Sequence, residues 1–433
     1  MSRTKLYALA ATALLSTTVI AGCGSSTPAQ GTSSKPVIVT LWQNYGTSGE
    51  ATTTTQLAKA FEKTHPTIKI NVVAEPVNNY FALFQAASIS KTGPDIAVMW
   101  TGLYALQYSK FLLNLNPYIS TADLNRYVGI QWSAQNFNVK DGTYVMPFEN
   151  QFYIGFYNKK LFQEAGITQP PQTWSQLFQD CALLKAKGIT PMEIGSTAGT
   201  AGAEFYPYYD FSYVVAGAYP LSKWRSLYDG TIPWTSPALV QQLSKWAQLY
   251  KDGYTNKDVL TQVNAQTQFA QGKAAMIVKG NWDLSTFEQA LGKNLGVFVP
   301  PYSNQPMHSI VEFSGDGFAV TKYSKHIPQA IEFMKFLESP QAQKIIVATG
   351  LIPDLTGVAT PDPLSNQMLD YVAQNHYTPI PMLDNVTQAA VVNAASTQLD
   401  AAVAGDATPQ AALQSMAQAL QQLPPAQRNS TYQ

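Results

Sequence analysis

The chain has 433 residues with 27 Lys and Arg against 27 Asp and Glu, which leaves neither a basic face for nucleic acid nor an acidic tail. Charged residues are 12% of the chain, against about 25% in an average soluble domain, while hydrophobic residues at 45% are ordinary, so Gln, Asn, Thr and Ser supply the polar surface. The length suffices for two or three domains with buried cores, and two cysteines, one of them directly after a leader, exclude an intramolecular disulfide and a Cys-rich metal site.

The leader comes first in the chain. Arg3 and Lys5 form a short positive region, and Leu6 to Ile20 is an apolar run too short to span a bilayer comfortably as a mature helix, so residues 1–22 read as a signal peptide. The run ends in Val19-Ile20-Ala21-Gly22-Cys23, which resembles the bacterial lipobox and makes Cys23 the expected lipidation site. From Cys23 to Pro36 the chain is rich in small polar residues and lacks aromatics, the composition of a flexible tether. Two acyl chains on one cysteine anchor a protein stably, at about 0.8 kcal/mol per buried methylene. The mature protein is therefore expected on the extracellular face of the cytoplasmic membrane, or on the periplasmic side in a host with two membranes.

The folded part opens with Val37 to Trp42, β-branched and apolar, followed by Gly46 and Gly49 and then Glu50 to Lys63, where Leu57, Ala58 and Phe61 have amphipathic helix spacing. Ile68 to Val73 alternates as a strand, Tyr80 to Ser90 reads as a helix and Pro94 to Trp100 as a short buried strand. This β-α-β-α-β series predicts an α/β architecture with mostly parallel strands. Strands follow at Tyr144 to Phe148 and Phe152 to Tyr157, then helices at Lys159 to Ala165 and Trp174 to Lys187, separated by Pro170-Pro171 and the cap candidate Thr173. In the second of these helices Cys181 lies with Leu177 and Leu184 on one side and is expected to be a buried small hydrophobe. Helices are predicted over 237–251 and 261–272, a strand over 274–278, a strand over 313–320, helices over 327–337 and 340–349, and an all-helical tail over 384–405 and 409–423. No period of 20 to 50 residues recurs, which excludes a solenoid.

Several segments together resemble the extracellular solute-binding proteins of the carbohydrate type that feed ABC importers, the family that includes maltose-binding protein. These are Asn71-Val72-Val73 with Gly93-Pro94-Asp95-Ile96; Met146-Pro147 with Phe156 to Phe162, Ala165-Gly166-Ile167 and Pro170 to Trp174; Phe269 to Met276 with Gly280-Asn281-Trp282; and Gly317 to Val320 with Ala330 to Gln343. The resemblance implies an α/β, two-lobed periplasmic-binding-protein fold of type II, with mostly parallel sheets, flanking helices and a ligand cleft between the lobes. It implies lobes formed by 37–148 with 312–348 and by 149–311 with 349–433, no cofactor and no catalysis. It further implies a monomeric receptor that takes a sugar or oligosaccharide and delivers it to ABC transporter permease subunits. Asn158, Thr173 and Asp95 read as turn and capping residues that hold the fold.

A sugar presents an apolar C–H face and an edge of hydroxyls, so a site for it needs flat aromatics and fixed polar groups. Trp42, Tyr45, Trp100 and Trp282 lie just past strand ends, where loops of an open α/β sheet line the ligand crevice, and Trp100 and Trp282 match stacking positions of the family. Gln43, Asn44, Glu149, Asn150 and Asn281 are the candidate hydroxyl partners, and Tyr206, Asp210 and Asp316 complete the candidate set.

Two rival classes remain. A glycoside hydrolase needs a carboxylate pair, for which Glu149 with Asp210 or Asp316 is the candidate. A receptor for a peptide or amino acid needs a cleft charge to pair the ligand's termini. No nucleophile elbow and no His-Glu-x-x-His motif occurs, and His65, His308, His326 and His376 lack ligand spacing, so no metal is expected and binding of a neutral sugar is favoured.

Overall fold

Strand β1 (Val37–Gln43) buries Val39 and Leu41 and pairs in parallel with β2 (Ile68–Ala74) on one side and β3 (Ile96–Trp100) on the other. Both crossovers are helical. The first, Gly49–Thr64, turns Thr53, Thr54, Leu57, Ala58 and Phe61 inward, with Glu50 in its first turn and Lys63 in its last, the arrangement that suits the helix dipole. The second is Tyr80–Ser90. β3 has apolar cores on both sides, so Ile96, Ala97, Val98 and Met99 are all fully buried and the strand reads as a continuous apolar run rather than an alternation. The computed structural model describes residues 35–46, 49–76, 79–196, 206–374, 376–382 and 386–429. The leader, Cys23, most of the tether, the side chain of Tyr206 and the first residues of the expected tail helix lie outside them.

The first sheet has the order β2-β1-β3-β10-β4, where β4 is Met146–Pro147 and β10 is Asp316–Val320. The second sheet is built on β5 (Asn150–Asn158) and has the order β11-β9-β5-β7-β6, with β8 also pairing β5. Here β6 is Thr190–Glu193, β7 Ala274–Gly280, β8 Leu295–Phe298, β9 Ser309–Ser314 and β11 Thr378–Ile380. The expectation of mostly parallel sheets is corrected by this pairing: both sheets are mixed. β10 runs antiparallel to β3 and β4, and β5 antiparallel to β7, β8 and β9. The chain leaves the first sheet and later re-enters it, and the returning strand arrives in the opposite sense.

A second correction follows from the same return. The single strand expected over 313–320 is two strands in two sheets, broken at Gly315. At Gly315 a Cβ would lie 2.5 Å from the Gln151 side chain, so a larger residue there would have to displace that side chain. Its N–H donates to the Glu149 carbonyl at 3.0 Å. A third segment joins there, since the Asn150 N–H donates to the Ile352 carbonyl at 2.8 Å and the Asp354 N–H to the Phe148 carbonyl at 3.4 Å. Three stretches, Phe148 to Asn150, Ser314 to Asp316 and Leu351 to Asp354, thus connect the two sheets side by side. The change of sheet falls at Gly315 rather than at 312.

The larger core lies about the second sheet and includes Phe152, Phe156, Trp174, Trp234, Trp246 and Cys181. Burial raises the Cys181 thiol far above its ordinary range, so it stays a protonated, apolar group. Helices Ala389–Ala404 and Pro409–Gln421 pack on each other and on Pro237–Lys251, extending that core. The core of the first sheet gathers Leu41, Phe61, Phe318 and Phe333. Helices Tyr206–Ala218, Leu284–Leu291 and Pro363–Ala373, and strands β6, β8 and β11, were not anticipated from the sequence.

Candidate functional site

Strands β1 and β3 are parallel, so their C-terminal ends reach one edge of the first sheet, where open α/β sheets bind ligands. Trp42 lies at the end of β1 and Trp100 at the end of β3, both half-buried. Asp316, the first residue of β10, is paired with Trp100 in the antiparallel register, and the Phe81 ring meets Trp100 edge-on at 4.7 Å. The Gln43 side chain accepts the N–H of Tyr45 at 2.7 Å, which turns the chain after β1 and spends that amide oxygen locally. Asn44 is buried, and its Oδ1 has no partner among the described residues. The Tyr45 ring packs edge-on against Phe148 at 6.2 Å. Burial first, and then the charges of Asp316, Glu149 and Glu50, hold its hydroxyl protonated.

The crossing segments carry the polar centre. Glu149 is fully buried; one carboxylate oxygen accepts from the Gln151 amide at 2.7 Å and the other has no partner among the described residues. Burial, followed by the negative charges of Glu50 and Asp316, pushes this carboxyl well above its ordinary range. The Asn150 amide nitrogen donates to Glu312 at 2.7 Å, and its oxygen is left over. Asp354 is fully buried with neither oxygen partnered among the described residues, and burial followed by the charge of Glu312 raises its pKa. The Thr101 hydroxyl donates to the Ser314 carbonyl at 2.5 Å, tying the end of β3 to the second crossing.

On the second sheet, Asn281 is used by the backbone. Its oxygen accepts the Phe152 N–H at 2.9 Å and its nitrogen donates to the Asn150 carbonyl at 3.1 Å, which clamps the start of β5. Trp282 is half-buried and borders both cores. It meets Tyr153 at 5.6 Å and Tyr209 at 5.8 Å, both edge-on, and the buried Lys279 ammonium lies 4.7 Å from its ring centre. Lys279 is also paired with Asp283 at 2.9 Å. A Cβ on Gly280 would come within 2.1 Å of the Trp282 ring, so this glycine allows the indole to lie against the strand end.

The structure therefore brings Trp42, Asn44, Tyr45, Trp100, Glu149, Asn150 and Asp316 to one edge and its crossings. Trp282 adjoins them through the first core, and helix Gly49–Thr64 touches the Asn281–Asp283 turn. Asp210 is placed elsewhere: it is buried in helix Tyr206–Ala218, accepts the Tyr302 hydroxyl and is pushed up to about 7 by burial. Asp95 accepts the Thr40 N–H at 2.9 Å and the Ser324 hydroxyl at 2.6 Å, a bracing carboxylate. Among the described residues no group of three His, Cys, Asp or Glu is arranged to hold a metal ion. Glu50, Glu312 and Asp354 were missed in the sequence. The available signal was a carboxylate inside an apolar run, as in Leu351-Ile352-Pro353-Asp354-Leu355, since burying such a group needs a reason.

The family model of the bacterial extracellular solute-binding proteins matches residues 45–344. A putative binding protein of Brucella abortus (strain 2308) is 27% identical over 228 residues, 52% of this chain and 53% of the relative, so the chain spans about half the length of that relative. The melibiose/raffinose/stachyose-binding protein MelE of Bacillus subtilis (strain 168) is 25% identical over 350 residues, 78% of this chain and 79% of MelE. The solved structure of a chitin oligosaccharide binding protein superposes with a TM-score of 0.77 at 21% identity, covering 88% of this chain and 98% of the other, and has the same fold.

Proposed function

This chain belongs to the bacterial extracellular solute-binding protein family, and on that premise we propose that it captures a sugar or oligosaccharide and delivers it to the permease subunits of an ABC importer. One observation carries the reading: half-buried Trp42 and Trp100 stand at the ends of two parallel strands, Trp282 packs against the core of the same sheet, and Asn44 after the first strand and Glu149, Asn150 and Asp354 on the crossings are buried with a side-chain oxygen that has no partner among the described residues. Indole faces suit the C–H face of a pyranose, and unpartnered acceptors suit its hydroxyls. That MelE binds melibiose, raffinose and stachyose supports the same class of ligand. The two lobes, each built on one sheet, close over the ligand about the three crossings, and the protein acts as a monomer without turnover.

Residues 1–22 are removed, Cys23 carries the lipid and the following residues tether the receptor to the membrane. Among the described residues no helix is long and apolar enough to cross a membrane.

The test is a thermal-shift panel of mono- and oligosaccharides, peptides and amino acids on the chain from residue 24 onward. A ligand at a hundred times its Kd stabilises the folded state by about 2.7 kcal/mol, a shift of a few degrees. Stabilisation by a peptide or amino acid and by no saccharide refutes the reading. Steady release of reducing ends, lost in Glu149→Gln, would establish a hydrolase instead.

A further inference from the structure

The chain is neutral overall and its composition predicts no basic face, yet the fold gathers one at the edge of the first sheet where β1, β2 and β3 begin and β10 ends. This is the end of the strands opposite Trp42 and Trp100. Backbone bonds hold the edge together: the Val37 N–H donates to the Thr67 carbonyl at 2.8 Å, the Thr321 N–H to the Asp95 carbonyl at 2.9 Å and the Lys322 N–H to the Phe111 carbonyl at 2.9 Å. The Ser88 and Tyr323 hydroxyls, 3.2 Å apart, join helix Tyr80–Ser90 to the turn after β10. On the segments so joined, Lys63, Lys91, Lys110, Lys322 and Lys325 are all exposed, and none of them is in an ion pair among the described residues.

The acids on the same segments are engaged. Glu62 holds Lys69 at 2.8 Å and accepts the Ile70 N–H at 2.9 Å. Asp95 accepts the Thr40 N–H and the Ser324 hydroxyl and lies 3.2 Å from the His326 ring. Further along, in the second turn of helix Ile327–Phe336, Glu332 is exposed and is followed by exposed Lys335. Two large apolar side chains accompany the lysines at this edge: Ile38 in β1 is 57% exposed and Ile89 in the last turn of helix Tyr80–Ser90 is 66% exposed. Ammonium groups around isolated aliphatic side chains suit a surface that is anionic outside and apolar beneath, since the first meet headgroup phosphates and the second enter the acyl boundary. The chain also enters the fold here, and Val37 lies fourteen residues after Cys23, at most about 50 Å of chain. A lipid on Cys23 thus keeps this edge within reach of a bilayer. We infer that the edge is a docking surface for anionic phospholipid headgroups, holding the first sheet on the membrane with its ligand edge turned away from the lipid. The inference takes the lipid anchor as its setting.

The experiment is co-sedimentation of the chain from residue 24 onward, which carries no lipid, with vesicles of equimolar phosphatidylglycerol and phosphatidylcholine and with vesicles of phosphatidylcholine alone. Binding to the anionic vesicles is expected to be at least about tenfold tighter, and to be lost at about 1 M salt, where the Debye length falls to about 3 Å. Each lysine near an anionic surface contributes about fivefold, so Lys91→Asn with Lys322→Gln and Lys325→Gln should weaken binding at least about tenfold; asparagine suits the left-handed backbone of Lys91. Lys187→Gln with Lys223→Gln and Lys251→Gln removes the same charge from exposed positions outside these segments and should leave binding nearly unchanged, with thermal melts confirming that both variants fold. Equal binding to the two kinds of vesicle overturns the inference. Equal weakening by the two triple variants shows that overall charge acts, and overturns the assignment to this edge. Tighter binding to soluble polyphosphate than to vesicles at equal accessible phosphate assigns the edge to a soluble polyanion and overturns the membrane as its partner. Neither a saccharide nor the lipidated cysteine enters this assay, so its failure leaves sugar capture and the lipid anchor standing.

Discussion

Replacing Trp282 by alanine separates a ligand platform from a core side chain. The indole makes two edge-on ring contacts, with Tyr153 and Tyr209, and one contact with the Lys279 ammonium. Ring pairs of this kind contribute about 0.5–1.5 kcal/mol each and a desolvated cation–ring contact up to about 2 kcal/mol. Without ligand, Trp282→Ala is therefore expected to lose about 2–3 kcal/mol in urea unfolding, less than the ~3–5 kcal/mol typical of a fully buried tryptophan. A platform that stacks a sugar ring contributes a further ~1–3 kcal/mol to binding, by analogy with aromatic stacking on other planar ligands. The dissociation constant measured by calorimetry should then rise about 5- to 150-fold. Trp282→Phe keeps a flat apolar face and should fall between wild type and alanine in affinity. In small-angle scattering the wild type should compact when saturated, and the alanine variant should need proportionately more ligand to do so. A variant that loses stability yet binds within twofold of wild type would refute the platform role and return Trp282 to the core.

Gly280→Ala substitutes none of the site residues but sets a methyl group into the Trp282 ring; it should destabilise by about 1–3 kcal/mol and weaken binding measured by calorimetry, whereas unchanged affinity would show that the seat of the indole is unimportant. Stability should rise as the pH falls from 8 toward 5. Burial raises Asp210 to about 7 and Glu193 to about 8 and also lifts Glu149 and Asp354. Asp362, lowered by hydrogen bonds involving Glu288 and Ser365 despite its burial, is ionised in both the folded and unfolded states across this range and adds no slope to it. A carboxyl whose folded pKa is raised binds more protons in the folded state, so its contribution is full below the unfolded value near 4 and is lost as pH rises through the folded value, by at most about 1.4 kcal/mol per pH unit for each group. Melting temperatures across that range should show the slope, and Asp210→Asn should flatten it; a maximum at pH 8 would contradict the burial of these groups. Cys23→Ala, expressed in a bacterial host that lipidates such leaders, should leave the membrane fraction, and continued tight association would remove the lipid anchor from the proposal.

The local pattern of the chain was enough for the elements whose signal is periodic. The spacing of Leu57, Ala58 and Phe61 located the first helix, and the apolar runs at 37–42 and 68–73 located β1 and β2, because side-chain periodicity and capping are properties of neighbours in sequence. That Trp42 and Trp100 stand near strand ends was legible for the same reason, although both lie within the last residues of their strands rather than past them. Pairing between distant segments was not. The run over 313–320 is apolar enough for one strand, yet it is divided between two sheets at Gly315, where Gln151 approaches closely. Asp210 and Asn281 are as polar in sequence as Glu149, yet the fold spends Asp210 on Tyr302 and Asn281 on the backbone of β5 and leaves Glu149 with one oxygen unpaired among the described residues. Glu50, Glu149, Glu312, Asp316 and Asp354 come from segments up to three hundred residues apart and meet because three strand connections run together between the sheets. Composition and periodicity specify which residues can be buried; which polar groups remain unpaired once buried depends on the tertiary contacts, since a donor for each oxygen must come from a part of the chain that the local sequence does not contain.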